Sequence, residues 1–170
     1  FIVLQVIWAI GFSMLFLSGI IYFSNKIISV IGLVIICFHN LFDTFIYEGQ
    51  SPYAILWYFL HQQSMIKISE HTSLAFGYPI IPWVGLMALG YVMGSLYTEY
   101  QSKERASLLM KFGIYSVLAF IVLRLTNFYG EPNHFAIQEK ISFSVMALFN
   151  TTKYPPCLLY ILMTLSLIHI

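Results

Sequence analysis

Apolar residues in this chain run in stretches long enough to cross a bilayer, and most of the few polar residues inside them sit near one end. Residues 1–23 form the first stretch, with Gln5 its most polar member. Ser24-Asn25-Lys26 breaks it as a tight polar turn, and residues 27–46 form the second. A third fills 78–97 behind Pro79 and Pro82, with Trp83 at its edge, and a fourth fills 108–128. Pro155-Pro156 open a fifth. A helix needs about 20 apolar residues to cross the hydrocarbon core. The pattern therefore predicts an all-α fold, a polytopic transmembrane helical bundle with about five spans in the lipid bilayer.

Two longer polar segments separate these spans. Residues 47–77 contain Pro52-Tyr53-Ala54-Ile55-Leu56-Trp57-Tyr58-Phe59-Leu60, which is too short to span and reads as an interfacial or re-entrant helix. Residues 129–154 are polar apart from the apolar piece 141–149. Residues 99–105 make a short charged loop. Gly90 and Gly94 form a small-xxx-small pair, which lets helix backbones approach closely. There is no convincing internal repeat.

Composition sharpens the membrane assignment. Apolar residues make up 59% and charged residues 9% of the chain, where a soluble domain carries roughly 25% charged. A net charge of +1 offers no basic field, so no nucleic acid is expected as a partner. Cys37 and Cys157 lack C-x-x-C or zinc spacing and read as small buried hydrophobes. Lys26 lies between spans one and two, and Lys103, Arg105 and Lys111 flank the loop between spans three and four. Alternation puts both sets on one side. The positive-inside rule makes that side the cytoplasm and puts segments 47–77 and 129–154 outside. The chain begins and ends inside apolar runs, so a central fragment of a longer protein is expected. Leu165-Ser166-Leu167-Ile168-His169-Ile170 also reads as one frame of a transposon-library adapter, so 165–170 is expected to be a non-native tail.

The outer ends of spans two and four carry the informative polar groups. On a helix His39 and Asp43 stand at i,i+4, and Asn40 and Asp43 at i,i+3, so one face can present all three. A carboxylate beside an imidazole fixes its tautomer and raises its basicity, which a general base needs. Arg124 and Asn127 stand at i,i+3 near the outer end of span four, and Thr151-Thr152-Lys153-Tyr154 enter span five from the same side. All lie at one depth and could line one pocket with positive charge for a phosphate, carboxylate or oxyanion. Blander readings stand beside this one. Arg124 and Lys153 can snorkel to headgroups, and His39 with Asp43 can be a structural cap. His61 and His71 have no carboxylate at ligand spacing, so they read as surface histidines and no metal site is expected.

The ordered strings Leu4-Gln5-Val6-Ile7-Trp8-Ala9-Ile10-Gly11, Phe38-His39-Asn40-Leu41-Phe42-Asp43, Tyr78-Pro79-Ile80-Ile81-Pro82-Trp83-Val84-Gly85, Gly90-Tyr91-Val92-Met93-Gly94, Leu123-Arg124-Leu125-Thr126-Asn127-Phe128-Tyr129-Gly130 and Asn150-Thr151-Thr152-Lys153-Tyr154-Pro155-Pro156 resemble the bacterial branch of the heparan-α-glucosaminide N-acetyltransferase-like membrane family. The resemblance covers nearly the whole chain up to residue 164. It implies that 1–164 is part of one acyltransferase-like domain in a bacterial inner membrane. It implies acetyl-CoA as the cytoplasmic donor and a glycan or lipid-linked sugar outside as the acceptor. The family's proposed catalytic histidine would lie upstream of Phe1. On their own spacing His39 and Asp43 stand as candidate catalytic residues, with the substrate-side wall of the site as their alternative role, and Asn40, Arg124, Asn127, Lys153 and Tyr154 as candidate substrate-binding residues. A transporter lined by Arg124, Lys153 and Asp43, or a non-catalytic membrane subunit, are the other classes that this pattern admits.

The topology can be checked directly. A cysteine at Ser102 is expected to resist an impermeant thiol reagent on intact cells, and one at Asn133 to react. The opposite labelling pattern would reverse the orientation.

Overall fold

A computed structural model describes residues 1–169 of the chain, with side chains through Ser166. The adapter-like end at 165–170 reaches outside the described residues. The chain divides into two compact units, Phe1–Ser95 and Leu96–Ile170.

The first unit opens with strand β1 (Ile2–Leu4), followed by helices α1 (Val6–Ile20) and α2 (Asn25–Phe38). After Phe38 the chain tightens into a 3-10 helix over His39–Thr44. A short helix α3 (Pro52–Leu60) and strands β2 (Ser64–Lys67) and β3 (Ser73–Phe76) come next, then helix α4 (Ile80–Glu99), whose end lies in the second unit. α3 starts where Ser51 accepts a hydrogen bond from the Ala54 N–H at 3.1 Å and Pro52 occupies the first turn. Both are helix-start devices, because the first N–H groups lack partners within the helix. The described residues also hold three strands in the order β1-β3-β2. β1 runs parallel to β3, pairing Ile2 with Leu74 and Leu4 with Phe76, while β2 runs antiparallel to it.

The sheet departs from the purely helical reading. The first apolar run contributes a strand before its helix, because its β-branched start finds an edge on β3, far along the chain. α3 covers this sheet. Ala54, Tyr58 and Phe76 are buried together, with Leu4, Phe59 and Leu74 packed around them. The Tyr58 hydroxyl reaches the Gly49 carbonyl at 2.9 Å, and the Trp57 Nε1–H donates to the Phe45 carbonyl at 2.8 Å. The loop between α2 and α3 is therefore held down from both sides.

The second unit consists of α5 (Ser102–Thr126), α6 (Ile141–Phe149) and α7 (Leu158–His169). α5 ends at Asn127, which takes the left-handed conformation at φ 50°. Asparagine tolerates this better than most residues, and a left-handed residue is a common helix stop. Phe120 of α5 is buried with Cys157 and Leu159, and Leu123 packs against them.

Three helical segments are long and apolar enough to cross a membrane: Asn25–Thr44, Ile80–Glu99 and Ser102–Thr126. They match the second, third and fourth expected spans. α1 has 15 residues, about 22 Å at 1.5 Å per residue, which is short of a core of about 30 Å. α7 is shorter still, with 12 residues.

The close helix contact falls at a glycine pair other than the expected one. A Cβ built on Gly32 of α2 would stand 2.9 Å from the Leu89 side chain and 3.1 Å from the Gly85 carbonyl oxygen. One built on Gly85 of α4 would stand 2.8 Å from Ile35 and 2.9 Å from Ile36. Gly90 and Gly94 have open space around them. Spacing along one helix cannot tell which small residue faces a neighbour. Gly85→Ala is expected to destabilise the full-length protein by about 1–3 kcal/mol through overpacking. Gly90→Ala is expected to be neutral or mildly stabilising. Thermal melting in detergent, followed by size-exclusion chromatography, compares the two. Equal losses would show that the α2–α4 approach is not special.

Candidate functional site

The first polar cluster sits where α2 tightens. A 3-10 helix has about three residues per turn, so residues at i and i+3 eclipse. This aligns Asn40 with Asp43, and the Asn40 Nδ2–H donates to Asp43 Oδ2 at 2.8 Å. His39 is buried and turns back along α2, where its Nδ1 meets the Ile36 carbonyl at 2.8 Å. A carbonyl can only accept, so Nδ1 carries the proton and Nε2 holds the lone pair of the neutral ring.

The second oxygen of Asp43 holds a residue that sequence reasoning passed over. His61 Nε2 stands 2.8 Å from Asp43 Oδ1. His61 follows the last residue of α3 and is only 3% exposed, which corrects its reading as a surface histidine. The rings of Trp57 and Phe42 lie 5.3 and 6.0 Å from it, and His39 lies 6.4 Å away. The Nε2–H donates to the carboxylate, which in the neutral ring leaves the lone pair on Nδ1. That Nδ1 is buried and has no partner among the described residues. The pair spans 18 positions, from the end of one helix to the end of another, so local spacing carried no signal of it. Asp43 and His61 form a carboxylate-oriented imidazole with a vacant basic nitrogen, the arrangement of a general base. No group of three His, Cys, Asp or Glu residues among the described residues could hold a metal.

A cavity of about 410 Å³ opens beside this cluster. Phe16 of α1, Val34 and Phe38 of α2, Leu60 at the end of α3 and Val84 of α4 help to wall it. His39 is the polar member of an otherwise apolar lining.

In the second unit Arg124 is 2% exposed. Its Nε donates to the Leu148 carbonyl at 3.1 Å, and its terminal nitrogens donate to the Asn133, Ala147 and Asn150 carbonyls, each at 2.7 Å. Three of these carbonyls lie at or just beyond the end of α6, where helix carbonyls have acceptor capacity to spare and the dipole is negative. The guanidinium is thus enclosed by backbone and does not reach outward to headgroups. Asn127 clamps the following loop. Its Nδ2–H donates to the Phe135 carbonyl at 2.8 Å, and its Oδ1 accepts from the Phe135 N–H at 2.7 Å. Lys153 is exposed and lies 5.0 Å over the Tyr154 ring.

Glu131 ties this loop to the entrance of α7. It accepts from the Thr152 N–H at 2.8 Å, from the Cys157 thiol at 2.9 Å and from the Asn133 N–H at 3.2 Å, and also from the Thr152 hydroxyl. Burial pushes its carboxyl up, but these donors outweigh burial and hold it below its ordinary value. A group whose folded pKa is depressed adds stability above its unfolded pKa, and that stability is lost as pH falls through the folded value. The wild-type melting temperature is therefore expected to fall on acidification below the ordinary carboxylate range. Glu131→Gln is expected to melt lower at neutral pH and to show a flatter acid limb. A variant with the wild-type acid dependence would remove Glu131 as its source.

Residues 1–129 match the family model described as heparan-alpha-glucosaminide N-acetyltransferase, catalytic. No curated protein and no solved structure matches the chain. The matched region contains His39, Asn40, Asp43, His61, Arg124 and Asn127, whereas Glu131, Lys153 and Tyr154 lie beyond it. A match over most of the chain leads to one conclusion, which the apolar helices of spanning length fit: the chain belongs to the heparan-α-glucosaminide N-acetyltransferase catalytic family.

Proposed function

We propose that the protein moves an acetyl group from cytoplasmic acetyl-CoA to an amine or hydroxyl of an envelope glycan or lipid-linked sugar on the outer side of a bacterial inner membrane. The family match over residues 1–129 carries this reading. In this reading α1 and α7 each belong to a span, which makes about five in all. The loop 99–105 faces the cytoplasm, and segments 47–77 and 129–154 face outward, as the lysine and arginine distribution favours.

The buried Asp43–His61 pair supports a chemical assignment. Asp43 fixes the orientation of the imidazole by accepting a hydrogen bond from the Nε2–H, which leaves Nδ1 to serve as the base toward the acceptor. In this reading the thioester end of acetyl-CoA reaches from the cytoplasmic side to the outer end of the bundle, where the acceptor N–H or O–H gives its proton to Nδ1 while its heteroatom bonds to the acetyl carbonyl carbon. The thioester C–S bond breaks, and the proton returns to the departing CoA sulfur, which leaves as the thiol. Asn40 holds the other Asp43 oxygen, and His39 contributes a second imidazole at the cavity wall. Arg124 and Asn127 shape the 127–150 segment, on which Lys153 and Tyr154 follow as contacts for an anionic or hydroxylated part of the substrate.

The test uses the full-length protein in proteoliposomes with labelled acetyl-CoA. Asp43→Asn and His61→Gln are each expected to lower kcat by about 10²-fold or more, as loss of a general base does, while membrane insertion is unchanged. His39→Ala is expected to reduce turnover as well. Full activity in both Asp43→Asn and His61→Gln would remove the pair from the chemistry.

A further inference from the structure

The apolar cavity beside His39 has no task in acetyl transfer to a free, water-soluble sugar. Its size, about 410 Å³, falls within the range of small-molecule sites. Its lining is almost wholly apolar, which suits neither a sugar ring nor water. Val34, Phe38 and Phe42 line one side and are between 41% and 54% exposed. They lie on the span-length segment Asn25–Thr44, so this side opens toward hydrocarbon. The inner wall is closed by Ile80, which is buried.

The polar end is equally specific. His39 is in the lining itself. His61 stands one ring further on, 6.0 Å from Phe42 and 6.4 Å from His39, and Leu60 next to it in the chain also lines the cavity. The His61 Nδ1 is buried with no partner among the described residues. A buried acceptor of this kind calls for a donor. An aliphatic chain entering between Val34 and Phe42 ends at His39 in the lining, with the His61 ring 6.4 Å beyond it.

We propose that this cavity binds the acceptor by a single aliphatic chain, and that the hydroxyl or amine at the end of that chain is presented to His61. The substrate class is thus a membrane-dissolved lipid alcohol, lipid amine or lipid-linked sugar. This rests on the acyltransferase reading for the fate of the hydroxyl or amine, but not for the chain site. Lipid tails are as apolar as the walls, so the chain alone gives little selectivity in a bilayer. Selection comes from the polar end.

The experiment uses the full-length protein in phosphatidylcholine nanodiscs and a hexadecanol analogue with a mid-chain diazirine. After photolysis, cross-links are expected to concentrate in residues 34–42 and 80–84. Hexadecanol should compete several-fold better than hexadecane, and this advantage should vanish in His61→Phe. Val34→Trp and Val84→Trp should each cut labelling several-fold. Val122→Trp, an exposed position on α5, should leave it unchanged and controls for folding. Should either cavity variant fail to fold, the hexadecanol–hexadecane comparison in the wild type still decides. Labelling spread evenly over the exposed helices would overturn the proposal, as would equal competition by the two compounds. Stronger displacement by palmitoyl-CoA would also overturn it, since the chain would then belong to the donor. Acetyl transfer is measured separately on the same preparation. The expected labelling without any transfer would overturn the enzymatic reading and leave the chain site standing.

Discussion

A polar group taken out of water near hydrocarbon must find its partner inside the protein, because lipid offers none. Three charged side chains follow this constraint. Asp43 is met by Asn40 and His61. Arg124 is met by four backbone carbonyls and no carboxylate. Glu131 is met by Thr152, Cys157 and Asn133. In each case at least one partner comes from another segment, so satisfying the charge also decides which segments lie together. Asp43 fastens the end of α3 to the end of α2. Arg124 draws the end of α6 and residue Asn133 to α5. Glu131 joins the loop after α5 to the start of α7. With so few charges in the chain, each one organises a large share of the polar structure.

The packing of α2 against α4 follows from a different shortage. Helices in lipid gain little from burying apolar surface against each other, so they rely on close contact at small residues. Gly32 and Gly85 provide it. The contact is tight at the level of Ile35 and Ile36. The cavity begins beside it, where Val34 and Phe38 face Ile81 and Val84. Tight packing at one level and a void at the next place an apolar space directly below the polar groups of the 3-10 segment. The continuous segment of α2 and the 3-10 helix thus carries part of the cavity wall and the carboxylate that orients His61.

What could be read from the sequence was local. The helix over Pro52–Leu60, the apolar piece Ile141–Phe149 and the long helices α4 and α5 all announce themselves through runs, prolines and a capping serine. The match of Asn40 with Asp43 was also legible, because i,i+3 neighbours meet on an α-helix and on a 3-10 helix alike. The rest depended on partners distant in the chain. β1 looks like the start of a membrane helix until β3, some 70 residues on, offers it an edge. His61 looked like a surface histidine because the carboxylate it needs lies 18 positions upstream. Arg124 read as a pocket-lining cation or a headgroup anchor, because carbonyl acceptors leave no mark on a side-chain pattern.

These misreadings share a direction that bears on mechanism. The surface reading of His61 and the snorkelling alternative for Arg124 both turn a polar group outward, to water or headgroups. His61 and Arg124 instead turn inward, at 3% and 2% exposure. For Arg124 the inward turn is fully accounted for by four acceptors, and its consequence is structural. For His61 it is half accounted for. Nε2 has its carboxylate, while Nδ1 is buried without a partner among the described residues. Burying an acceptor unpaired costs about 1–3 kcal/mol, and a fold can carry such a cost where function uses the group. The difference between the two residues therefore separates a group that holds the protein together from one poised to act on something it binds.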